Sequence, residues 1–189
     1  MSSKSRVLAL LSAGLASLAL GTMGVGSAFA DSKTLHIEMT DDCDPATFNA
    51  VIGKGTCVGN GDTTFGAFIA EVQATHRAED WVFDPSRATV RRKQTVVADN
   101  VGGETHSFTC VTVFGGGIVD ALNQASGNTK LATACGNQTL ADSFGASLVL
   151  AGGSKAFDLS KAEQASPGVF QFQCLIHPWM RSVLRVGRD

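Results

Sequence analysis

Five cysteines in a chain that opens with an export signal constrain this protein more than any other feature: Cys43, Cys57, Cys110, Cys135 and Cys174. An exported chain meets an oxidising compartment, where thiols pair, and an odd count leaves one over. The signal is read from Lys4 and Arg6, an apolar run rich in Leu, Ala and Gly over residues 7–23, and the small-x-small motif Ala28-Phe29-Ala30, which makes Asp31 the mature start. Ser and Gly interrupt that run and a cleavage motif ends it. It is therefore read as a removable leader, with no membrane span expected after its removal. The leader holds no twin-arginine pair, and no cysteine lies near the cleavage site to carry a lipid. The expected destination is a periplasm or the extracellular space.

Removing residues 1–30 leaves about 160 residues, enough for one domain with a sizeable core and too few for two comfortable ones. The formal net charge of the whole chain is -2, and the leader carries only basic residues. The mature protein is thus acidic and lacks the basic face that nucleic acid requires. Cys43 and Cys57 bracket a Gly-containing loop, where a local bridge would stabilise by ~3 kcal/mol. Cys110 and Cys135 are then left to pair, although four cysteines allow three pairings.

Thr34 to Thr40 partly alternates and reads as a first strand, followed by a polar, Gly-rich loop over residues 41–62. Phe65, Phe68, Ile69 and Val72 recur at helical spacing, which predicts a helix over 64–76 with Asp62 or Thr63 as its cap. After Asp80 the texture changes to short β-prone runs: 81–83, 88–90, 94–98, 105–113, 147–150, 156–159, 169–173 and 181–186. A basic turn (Arg91, Arg92, Lys93), a turn over Asn100 to Gly103 and the run Gly115 to Gly117 separate some of these; residues 118–137 read as a short helix plus loop. Many short strands with intervening turns predict a mainly β sandwich. The expected division is an N-terminal extension over 31–80 and a β domain over 81–189.

Chemistry concentrates in Cys174-Leu175-Ile176-His177-Pro178-Trp179-Met180. Phe170, Phe172 and Cys174 share one strand face, so Cys174 points with the two Phe into the core. His177 and Met180 follow at intervals of three, and Pro178 stiffens the loop between them. Thiolate, imidazole and thioether together favour copper, and two His with one Cys and a long axial Met form a blue-copper site. The second His must come from elsewhere. His106, sharing a face with Phe108 and Cys110 just after a turn, is the candidate. His36 and Met39 fall on opposite faces of a strand, and His76 ends a helix, where a cation is favourable in any case. Zinc is disfavoured because no Cys-x-x-Cys pair exists and Met is a poor zinc ligand. Asn137-Gln138-Thr139 matches a glycosylation acceptor, a short and unspecific pattern.

These two segments resemble the plastocyanin, pseudoazurin and amicyanin family of cupredoxins, over about Val82 to Val113 and Val169 to Val186. The Cys-x-x-His-Pro-x-Met spacing is most similar to amicyanin. The resemblance implies a cupredoxin-like Greek-key β-sandwich with an added N-terminal segment containing one helix. It implies one type 1 copper ion held by His106, Cys174 and His177, with Met180 axial. It also implies a monomeric carrier of single electrons that docks transient redox partners near His177 and Trp179. Ser107 and Asn100 are expected to support the ligands. The resemblance does not reach Thr34 to Asp80, whose role stays unread. Copper oxidases and nitrite reductases need further histidine-built centres, and only His36 and His76 remain, so no enzyme is expected. The competing readings are copper storage or delivery, and a cupredoxin-fold interaction module without a redox role.

Overall fold

Alternation writes the first strand. Along β1 (Thr34–Thr40), Ile37 and Met39 are buried while His36 and Glu38 are exposed, the period of a strand with one face on a core. The computed structural model describes residues 34–91, 94–136, 138–157, 159 and 168–187. The leader over 1–30 with its cleavage motif, Arg92 and Lys93 of the basic turn, and Asn137 of the glycosylation pattern lie outside the described residues.

β1 pairs antiparallel with β2 (Val82–Asp84) and parallel with β4 (Thr95–Asn100), and β9 (Ser154–Phe157) closes that sheet against β4. β3 (Arg87–Val90), β6 (Thr109–Val113), β7 (Thr133–Ala134), β10 (Val169–Gln173) and β11 (Arg181–Val186) form a second, mixed sheet in the order β3-β11-β10-β6-β7. Between the sheets Phe108 stacks on Phe172 at 4.2 Å, and Phe157 of the first sheet meets both of them. The protein is a mainly β sandwich with helical insertions, as the strand pattern predicts.

The chain departs from the sequence expectations in local ways. Residues 105–113 do not form one strand. β5 (His106–Ser107) pairs with β8 (Leu148–Val149), and the Phe108 N–H donates to Ser147 O, so the chain switches partner before β6. Residues 41–62 are not all loop: Asp44 caps α1 (Pro45–Val51) by accepting from the N–H groups of Ala46 and Thr47, and Pro45 sits in the first turn, where its missing N–H costs nothing. α2 (Phe65–Thr75) lies where predicted, but Thr64 is its cap. α3 (Asp120–Ala125) matches the expected short helix, whereas α4 (Leu140–Ser147) forms where the sequence reading places no helix. Among the described residues no helix is long and apolar enough to cross a membrane.

Cys43 and Cys57 are bridged, as are Cys110 and Cys135, and Cys174 is the free cysteine, buried. α2 turns Phe68 and Val72, one helical turn apart, onto the end of the sandwich. There Phe48, Phe68 and Trp81 form an aromatic cluster, and this is the end at which the chemistry-bearing residues gather.

Candidate metal centre

β10 delivers Cys174. Phe170 and Phe172 are buried, and Cys174 follows on the same face with no exposure. The chain then turns back on itself: the Cys174 N–H donates to Met180 O and the Met180 N–H to His177 O, each at 3.0 Å. This closed loop holds His177 over Cys174 and buries the Met180 side chain in the core. Gly117 lets the neighbouring chain pass against the loop, since a Cβ there would collide with the Leu175 carbonyl, and the Ile118 N–H donates to that carbonyl at 2.8 Å. The Gly115 to Gly117 run thus serves backbone approach.

His106 comes from β5, on the far side of the cluster. Its Nδ1 lies 3.3 Å from Nδ1 of His177, and each of these nitrogens lies 3.9 Å from Sγ of Cys174. Among the described residues, these three form the one group of His, Cys, Asp or Glu able to hold a metal ion. Edges of this size suit a single ion at about 2.0–2.1 Å from nitrogen and 2.3 Å from sulfur, so the donor set fits a metal. Of the other histidines, His36 is exposed and pairs with Asp99, and His76 ends α2 in the left-handed region.

The surroundings favour a thiolate at Cys174. Burial alone would raise its thiol, but hydrogen bonds and charge from His106 and His177 hold it well below the ordinary range. Backbone N–H groups of Ser107 and His177 both approach its sulfur at 3.5 Å. Ser107 therefore supports the site through its main chain, while its hydroxyl accepts from the Leu175 N–H. Asn100 acts one step away, donating to the carbonyls of Glu104 and Val149 and so fixing the approach to β5.

Two carboxyl residues missing from the sequence reading stand behind the histidines. Asp41 Oδ2 lies 2.9 Å from Nε2 of His106, and Glu104 Oε2 lies 3.6 Å from Nε2 of His177. Burial works against charge on Asp41, but its hydrogen bond and attraction to His106, with the N–H groups of Glu104 and Gly103, bring it down to about 2. Burial likewise works against His106, yet Asp41 and Cys174 raise it to about 9. Glu104, two residues before His106, was open to suspicion from the sequence; Asp41, far away in the chain, carried no such signal.

His177 is only 2% exposed. Phe68, Trp81 and Trp179 surround it, with ring centroids 6.0, 6.4 and 5.5 Å away. Trp179 is half-buried, and its Nε1 finds no acceptor among the described residues.

No family model and no curated protein matches the sequence. Similar solved structures include a purple cupredoxin from Nitrosopumilus maritimus, 14% identical, spanning 58% of this chain and 86% of that one, TM-score 0.37. Oxidised plastocyanin from Dryopteris crassirhizoma is 15% identical over 81% of this chain and 100% of that one, TM-score 0.37. Reduced auracyanin from Roseiflexus castenholzii is 17% identical over 83% and 98%, TM-score 0.36.

Proposed function

We propose that the protein is an exported cupredoxin that binds one type 1 copper ion and carries single electrons between redox partners. The observation that carries this reading is the convergence of Cys174 Sγ with Nδ1 of His106 and of His177 in a fully buried triangle. Two imidazoles and a thiolate, with the thioether of Met180 on the same closed loop, form the donor set that selects copper over harder ions. His106, Cys174, His177 and Met180 are the residues that would hold the ion, the last three on a loop of amicyanin-like spacing. A copper ion bound there supplies a reversible one-electron couple.

The residues of the chain do the rest. The Cys174 loop is closed by its own backbone hydrogen bonds, which fix Cys174, His177 and Met180 relative to one another. Phe68, Trp81 and Trp179 keep water from His177, and His106 is fully buried. A rigid, dry ligand set suits electron exchange with little rearrangement, and it counts against a delivery role, which needs an ion within a partner's reach. With His177 covered, Trp179 is the proposed docking point for a transient redox partner through a small interface. No catalysis beyond electron transfer is proposed.

The copper-loaded mature chain is expected to show intense visible absorption from thiolate-to-copper charge transfer. Cys174→Ala should abolish it. A colourless copper complex of the unaltered protein would overturn the electron-carrier reading.

A further inference from the structure

Each histidine turns Nδ1 towards Cys174, which leaves Nε2 to be satisfied inside the protein. Nε2 of His106 meets Oδ2 of Asp41 at 2.9 Å, and both side chains are fully buried. Asp41 also accepts the backbone N–H groups of Cys43, Gly103 and Glu104, at 3.2, 3.0 and 3.0 Å. The chain is shaped around this carboxylate: a Cβ on Gly102 would collide with it, and one on Gly103 would strike the Cys43 sulfur at 2.7 Å. Behind His177, Glu104 is buried, and its Oε2 accepts the indole N–H of Trp81 at 2.8 Å.

Buried carboxylates are costly, several kcal/mol per ion even after relaxation. An imidazole that needed only orientation could donate to a backbone carbonyl at far smaller cost. Carboxylates behind metal-binding histidines fix the ring and raise its donor strength. In a low-dielectric interior their charge also acts on the ion itself. The oxidised state of a one-electron site carries one more positive charge than the reduced state, so nearby negative charge favours it.

We infer that Asp41, supplied by the N-terminal segment, is a positioning residue that anchors His106 and, with Glu104, biases the site towards its oxidised state and tighter metal binding. The inference rests on the copper reading, and it gives residues 34–80 a part in the site itself.

The test compares the full mature chain with Asp41→Asn and Glu104→Gln by redox titration of the copper form and by zinc affinity. Asp41→Asn keeps the side chain's shape and removes its charge. It should retain the thiolate band, lose 10–100-fold in zinc affinity, and shift the oxidised-to-reduced ratio at fixed potential at least tenfold towards the reduced form, about 59 mV for one electron. Glu104→Gln should shift the ratio the same way by less, because its carboxyl sits farther from its histidine. Intact band, unchanged affinity and unchanged ratio in Asp41→Asn would overturn the inference while the copper reading stood. Should Asp41→Asn fail to fold, Glu104→Gln carries the test, and an unshifted ratio there overturns it. If the unaltered protein binds copper without the band, the copper reading falls, and zinc affinity alone decides the role of Asp41.

Discussion

The two histidines of the site are held by different physics. His106 is fixed by polar contacts: a buried carboxylate at 2.9 Å, itself pinned by three backbone N–H groups that include the start of the Cys43–Cys57 loop. His177 is fixed by packing. Three aromatic rings surround it, and its own carboxyl neighbour stands off at 3.6 Å. Hydrogen bonds are directional and set the ring of His106 to a defined angle. Aromatic contacts set position through volume and tolerate small rotations. The His106 flank therefore responds to charge and pH, and the His177 flank to side-chain size.

The sharpest way to break this contrast is to empty the packed flank. Phe68 touches His177, Trp179, Trp81 and Phe48, with 2% exposure. Phe68→Ala should lower stability by about 3–5 kcal/mol, measured by denaturant unfolding of the metal-free protein. It should also admit solvent to His177 while leaving the His106 to Asp41 contact intact; a cost below about 1 kcal/mol would mean that packing does not hold this side.

A smaller effect is expected where the two modes meet. Trp81 belongs to the aromatic cluster but also donates to Glu104. Trp81→Phe keeps most of the packing and removes the donor, so a loss of about 1–3 kcal/mol is expected from the buried oxygen left without it. A neutral result would show that the Trp81 contribution is packing alone.

The mildest probe is pH, and at the site it should read out the polar flank. Asp41 is lowered in the folded chain from 3.8 to about 2. A lowered carboxyl contributes stability that is complete above its unfolded value and is lost as pH falls through its folded value. The metal-free protein should therefore lose stability as pH drops from about 3.8 through about 2. Asp44 and Asp99 are lowered as well and share that limb, so Asp41→Asn should flatten it in part and Phe68→Ala should leave its slope unchanged. A slope untouched by Asp41→Asn would sink the assignment.

How much of this was legible beforehand depends on how local the signal is. β1, β10 and β11 carry their period in consecutive residues, and the predicted ranges match the observed ones. α2 shows its buried face at i and i+4 and lies within a residue of the expected bounds. α1 and α4 are seven and eight residues long, too short for periodicity to speak, and their local signs were the caps at Asp44 and Thr139 and, for α1, Pro45 in the first turn. The break between β5 and β6 could not be read at all, because it depends on which strands the chain finds as partners.

The same division runs through the site. Residue chemistry and spacing alone singled out Cys174, His177 and Met180, because a tight loop brings nearby residues together whatever the rest of the fold does. Counting cysteines marked one thiol as unpaired, because disulfide formation in an oxidising compartment is a matter of number before it is one of shape. Only the folded chain could set His106 beside them, bury His177 under α2, and carry Asp41 across 65 residues to the back of His106. Those placements are long-range contacts made when the two sheets and the helices α1 and α2 close over a common core. The sequence pattern records which faces will be buried, but not which distant residues will meet there.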